Sequence, residues 1–365
     1  MSRPSAPKAN SGVAPDVQGH PARAQEATPA RAQREGAAMP MARSQLLPLP
    51  WKLHLTVLAI ALAYPFLFPS SFMLNFGVLA LFYAFIGQSW NISGGFAGQL
   101  SFGHVAFFGI GAYASTIAQL RFGFSPWLGL PVAALAGALI GGIIGVLSFR
   151  AGLKGSYFAL ITLAFAEVLR IVSNSVGITG GGLGMLIPMK PGAANLQFAE
   201  RSGFYFLILV LVVISIALAE WLRRSRFGAQ LAAIRENEDA AKALGINVFR
   251  EKVKVMLLSG AIGGVGGSFF AQYFLYIDPL IAFGVDKSVE MLLVTMIGGA
   301  GTVYGPMVGA LLLALVSDGT RALTQIQGLS LVLYGALLVI IIAFLPNGLI
   351  DLFSRIKARF SRGRN

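Results

Sequence analysis

The sequence has no cysteine, which excludes disulfides, thiol catalysis and thiolate-bound metal. Histidine is almost as scarce, and the three present, His20, His54 and His104, form no metal-ligand motif. No G-x-x-x-x-G-K-[ST] phosphate loop occurs, so an ATP-driven step would need a separate ATPase, and no cofactor is expected. Charge is sparse too: 12% of the 365 residues are charged and 56% are hydrophobic, with a mean hydropathy of +0.72. That balance excludes an ordinary soluble domain and makes a lipid bilayer the implied solvent.

What charge there is lies unevenly. The formal net charge is +13, and 22 of the 28 Lys and Arg fall within residues 1–52, 150–154, 223–254 and 350–365. Between these blocks run apolar stretches at about 53–69, 72–90, 100–120, 126–149, 155–174, 203–222, 255–276, 288–300, 304–318 and 328–346. Most approach the roughly 20 residues of a bilayer span. Basic loops beside apolar spans follow the positive-inside pattern, so the positive charge reads as topology and not as a nucleic-acid surface. An even number of runs separates each basic block from the next, which puts both termini on the cytoplasmic side. The expectation is an all-α polytopic membrane protein of about ten transmembrane helices.

Residues 1–48 are rich in Ala, Pro, Arg, Gln, Gly and Ser and are expected to form a disordered cytoplasmic tail. The first apolar run begins too far from Met1 for an ordinary signal peptide and reads as a retained helix. A membrane domain over 49–349 and a basic cytoplasmic tail over 350–365 complete the plan.

Glycine marks three regions. Gly137, Gly141 and Gly145 recur every four residues, as do Gly260, Gly264 and Ser268, a spacing that lets membrane helices approach closely. The short runs 288–300 and 304–318 are joined through Gly298, Gly299, Gly301, Gly305 and Pro306. They read either as two spans or as a broken, re-entrant pair beside a transport path. The loop 223–254 carries eight Lys or Arg against four acids, reads as one or two short helices, and has Gly245 placed to end a helix begun near Asn237 or Asp239.

Asp239-Ala240-Ala241 followed by Gly245 resembles the E-A-A-x-x-x-G core of the coupling loop in bacterial ABC importer permeases, with Asp in place of Glu. The proline expected downstream is absent, since Val255, Met256, Leu257 and Leu258 stand where I-x-L-P would be. Upstream, NISGGFAGQLSFGH over Asn91 to His104, then Phe107, Phe108, Gly109, Gly111 and Tyr113, is similar to the signature of LivM-type branched-chain amino acid permeases. Thr179 to Pro188 and Ile297 to Pro306 agree with the same family, and the likeness runs from about 50 to 347.

The resemblance implies the transmembrane subunit of an ATP-driven importer in a bacterial inner membrane. Its partners would be cytoplasmic ABC ATPase subunits, a second homologous permease forming a heterodimer, and a periplasmic substrate-binding protein. It also implies docking of the ATPase on helices within 226–250, with Arg235, Glu236, Asn237, Asp239, Ala240, Ala241 and Gly245 as coupling residues.

Read physically, Gln88, Asn91, Gln99, Ser101 and His104 lie among glycines at membrane depth, where an unpaired polar group costs several kcal/mol. Asn91, Gln99, Ser101, His104, Phe107 and Phe108 are candidates for the translocation path; the alternative is that they bond only to neighbouring helices. Glu167 and Arg170 are spaced to pair on one helix face, and Glu290 reads as an interfacial charge. Loop 174–202 is the candidate contact for the binding protein; the alternative is a flexible connector. A urea or short-chain amide permease, and a secondary transporter or channel, remain alternatives.

Overall fold

The computed structural model describes residues 51–323, 332–333, 335–336 and 348–351. Residues 1–48, the basic residues of the C-terminal tail and nearly all of the run 328–346 lie outside the described residues.

Among the described residues, nine of the ten apolar runs coincide with helices. These are α1 (Trp51–Leu67), α2 (Ser71–Trp90), α3 (Val105–Phe122), α4 (Pro126–Arg150), α5 (Gly155–Ser175) and α6 (Arg201–Arg224), followed after the basic loop by α9 (Val248–Phe274), α11 (Val285–Gly298) and α12 (Gly305–Leu323). The basic loop itself folds into α7 (Arg226–Glu236) and α8 (Glu238–Ala243), and α10 (Pro279–Phe283) is a single turn. Five helices are long and apolar enough to cross a membrane: Ser71–Phe96, Pro126–Arg150, Gly155–Ser175, Arg201–Arg224 and Val248–Phe274. α1 and Gly305–Ser317 are apolar but shorter.

The two glycine rows face each other. A Cβ on Gly137 or Gly141 would strike the backbone of Gly260 or Met256, and one on Gly264 would strike Ala133. Numbers rise along α4 as they fall along α9, so the helices are antiparallel with backbones in contact, the close approach that small residues permit. α3 joins this layer through Gly111 against Gly264 and Gly267 against Phe108. Phe82, Phe108, Phe269 and Phe270 fill the space between α2, α3 and α9.

α11 and α12 form an antiparallel pair against α2. Gly298 abuts Gly305, and Gly309 abuts Val294. The chain reverses between them through Gly299 (φ 123°) and Gly301 (φ 77°), dihedrals that exclude most side chains. At 14 residues α11 is shorter than a full span.

Outside the helices, the loop after α5 carries strand β1 (Met185–Leu186), paired antiparallel with β2 (Tyr276–Ile277). Trp127 Nε1 donates to Ala193 O at 2.8 Å and fastens this loop to the start of α4.

Candidate functional site

α2 does not end as an α-helix. It widens into a π-helical turn over Asn91–Phe96 and closes on Gly98, whose φ is 67°. Two features favour the widening: Trp90 lies across Gly94, where a Cβ would collide with its ring, and Ser93 Oγ donates back to Trp90 O at 3.2 Å. π-turns inside helices are often found at functional positions. The non-helical residues 97–104 are then tied to three elements. Trp90 Nε1 donates to Ser101 O (2.8 Å), Gly103 N to Thr162 Oγ1 on α5 (3.3 Å), and His104 Nε2 shares a hydrogen bond with Ser259 Oγ on α9 (2.7 Å).

Asn91 joins this turn to the α11–α12 reversal. Its Oδ1 accepts from Gly301 N at 2.7 Å and its Nδ2 donates to Thr302 O at 2.9 Å. Both backbone groups would otherwise be unpaired in the interior, so the amide side chain substitutes for secondary structure where the chain has none.

Arg235 reaches the same joint from the basic loop. Its side chain leaves α7, packs against Gly98, and donates from Nη1 to Gly95 O at 2.7 Å beside Gly301. The side chain is 14% exposed and also faces Glu236 at 3.6 Å. Burial lowers the guanidinium pKa and Glu236 opposes the shift, but arginine starts high enough to stay charged. Three separate segments, the π-turn, the glycine reversal and the coupling-loop helix, thus meet at one partly buried cation.

The rest of the loop is built as its residue types predict. Asn237 Oδ1 accepts from Asp239 N and Ala240 N, both at 3.0 Å, and so caps α8; Gly245 at φ 83° ends the segment. Leu231, Ile234 and Ala241 are buried, while Asp239 (side chain 82% exposed) and Leu244 (80%) form an outward tip. Glu238 binds Lys252 at 2.8 Å, Lys242 at 3.2 Å and Lys154 at 3.4 Å, which locks α8 to α9 and to the α4–α5 turn. Burial pushes the Glu238 carboxyl up, but Lys252, Lys242 and Lys154 outweigh it and hold it below the usual carboxylate range.

The candidate path residues cluster here as well, all inside the subunit. Asn91, Ser101, His104, Phe107 and Phe108 are fully or almost fully buried, and Gln99 donates to Ala97 O at 2.8 Å. Phe107 meets the His104 ring edge-on, and Phe108 packs on Phe82 and Phe270. Glu167 and Arg170 do pair, with two hydrogen bonds of 2.9 and 2.6 Å. Glu290, which the sequence offers as an interfacial charge, pairs with Lys287 at 2.7 Å. No cluster of metal-binding side chains occurs among the described residues.

A bundle in which five helices are long and apolar enough to cross a bilayer describes a multi-pass integral membrane protein. The model of the family "branched-chain amino acid transport system / permease component" matches residues 72–342, and the chain belongs to that family. It is 29% identical over 320 residues to the high-affinity branched-chain amino acid transport system permease protein LivM of Escherichia coli K12, covering 81% of this chain and 74% of that protein. To LivH of Salmonella typhimurium it is 24% identical, over 76% of this chain and 94% of the relative. The L-arabinose ABC transporter permease protein AraH of Azospirillum brasilense is 28% identical over 66% of this chain and 69% of its own length. No solved structure matches.

Proposed function

We propose that this chain is the membrane subunit of an ATP-driven importer that carries branched-chain or closely related amino acids across a bacterial inner membrane. The observation that carries the reading is the similarity to LivM over 81% of the chain. A sugar permease such as AraH lies within reach of the same sequence, but with shorter coverage. The urea and amide alternative has no such support.

On this reading the chain works beside a second, LivH-like permease and receives substrate from a binding protein that contacts loop 174–202. Exposed Leu183, Leu186 and Met189 on that loop support the contact. Both termini lie in the cytoplasm. The segment 226–250 docks in the cytoplasmic ATPase through its exposed tip, and Arg235 passes the movement to the π-turn. Asn91, Gln99, Ser101, His104, Phe107 and Phe108 then form the part of the path wall that rearranges, with Gly298, Gly299, Gly301 and Gly305 as the flexible reversal beside it.

Reconstitution with the ATPases, second permease and binding protein tests this. Leucine uptake should require ATP, and Asp239→Lys or Gly245→Val should abolish uptake while leaving membrane insertion intact. Uptake that survives loss of the ATPase would assign the chain to secondary transport instead.

A further inference from the structure

α1 is tethered to the bundle more than it is packed into it. Pro65 has no N–H to offer Ala61 O, and Tyr205 Oη on α6 donates to that carbonyl instead, at 2.8 Å. Nearer the start of α1, His54 Nδ1 and Tyr304 Oη share a hydrogen bond. Between these two ties the apolar side chains of α1 and α6 do not close on each other, and a cleft of about 480 Å³ lies between them with Met307 of α12 in its wall.

The cleft has a direction. Along α6 its wall runs from Leu209 to Arg224, roughly 22 Å at 1.5 Å per residue. That is about the depth of one bilayer leaflet with its headgroup layer, half of a 40–45 Å membrane. Val212, Val213, Ile216 and Ala217 make the length of the wall apolar, and Glu220, Trp221 and Arg224 stand together at its end. Glu220 lies within electrostatic reach of Tyr304, which brings the His54 tie to the same end.

That end is basic. Within two positions of any lining residue the chain has four cations, Lys52, Arg223, Arg224 and Arg226, and one acid, Glu220. Arg224 meets Glu220 through Nε alone and keeps 55% of its side-chain surface. Lys52 and Arg226 are exposed and form no ion pair among the described residues. Trp221, 54% exposed, adds an amphipathic ring of the kind that settles at headgroup level. Unfilled apolar space costs stability in proportion to its volume, and a water-soluble anion would leave the apolar wall uncovered.

We propose that this cleft binds one anionic glycerophospholipid, its acyl chain along Val212, Val213 and Ile216 and its phosphate at Arg224, with Lys52 and Arg226 beside it. A basic pocket between membrane helices suits such a headgroup, and the surplus of positive charge selects a lipid with net negative charge over a zwitterionic one. The bound lipid braces Tyr304, which adjoins Gly305 of the reversal.

Acyl-chain bromine quenches tryptophan on contact, and the fluorescence lost in Trp221→Phe isolates that ring in the reconstituted complex. Brominated phosphatidylglycerol, as a minor fraction of phosphatidylcholine vesicles, should quench the Trp221 signal severalfold more than brominated phosphatidylcholine at the same fraction. Arg224→Gln with Lys52→Gln should abolish the difference, and so should Ala217→Phe, which puts a ring into the cleft. A second readout needs no variant: phosphatidylglycerol, and not phosphatidylcholine, should raise the unfolding temperature of the wild-type complex in detergent. Equal quenching by the two lipids, a preference retained in both variants, or equal unfolding temperatures would overturn the site. Trp221 shielded from both lipids would give the cleft to a protein neighbour and overturn it as well. Neither readout depends on what the complex transports.

Discussion

Arg235 Nη1 donates to the carbonyl of Gly95, 2.7 Å away and 140 residues earlier in the chain. The acceptor lies in the π-turn, so no further helical geometry is needed to leave this carbonyl available. Removing the donor strands a buried acceptor and removes a cation from the joint, together worth about 1.5–3 kcal/mol. Arg235→Ala should therefore lower leucine transported per ATP by about tenfold or more while basal ATPase activity persists. Arg235→Lys, a point charge without the planar fork, should recover only part of it. Stoichiometry measured in proteoliposomes decides; an unchanged ratio in Arg235→Ala removes this residue from coupling.

Asn91 should be a stability residue as much as a mechanical one. Asn91→Ala leaves Gly301 N and Thr302 O without their partners, at about 1–3 kcal/mol for each unsatisfied buried group. Thermal unfolding of the detergent-purified subunit should shift down by several degrees. Asn91→Asp should not rescue it, because the carboxylate cannot donate to Thr302 O. A melting curve matching wild type would show that the reversal holds without this side chain.

The facing glycine rows give a graded test of packing. Gly264→Val puts branched carbon into the backbone of α4, so the helices must separate and lose contacts along their length. Folded, monodisperse protein should largely disappear. Gly177→Ala is the control, since open space surrounds it and its φ is not positive. Size-exclusion profiles of the two variants should differ sharply; equal profiles would mean that α4 and α9 are not in backbone contact.

Local rules made much of this legible in the sequence. The period of four at Gly137, Gly141 and Gly145 identifies a packing face, and Asn237 with Gly245 brackets a short helix, because both signals live within one or two turns. The inward course of Arg235 was not legible. As part of the E-A-A-like region it reads as a surface for the ATPase, and nothing in its neighbours encodes a partner 140 residues away. Lys287 and Glu290 show the second kind of loss. In the sequence Glu290 reads as an interfacial charge on its own, because the Tyr83 and Phe270 rings that lie beside its partner Lys287 come from other helices that local spacing cannot name.

The Glu238 cluster carries a defined pH signature. Its carboxyl is held below the usual range by three lysines, so its contribution is fully present above the unfolded carboxylate value of about 4.3. The contribution is lost as pH falls through the lower folded value, and between about pH 5 and 8 this clamp should be indifferent to pH. Glu238→Gln removes the charge at every pH and leaves the Lys252 ammonium, 4% exposed, without its anion. A fully buried broken pair costs about 3–5 kcal/mol; Glu238 keeps 18% exposure, so about 1–3 kcal/mol is expected. α8 should then open more often, and trypsin should cut at exposed Lys242 severalfold faster in the variant at neutral pH. Cleavage at the wild-type rate would mean that α8 is held by its buried Ala241 and not by the ion cluster.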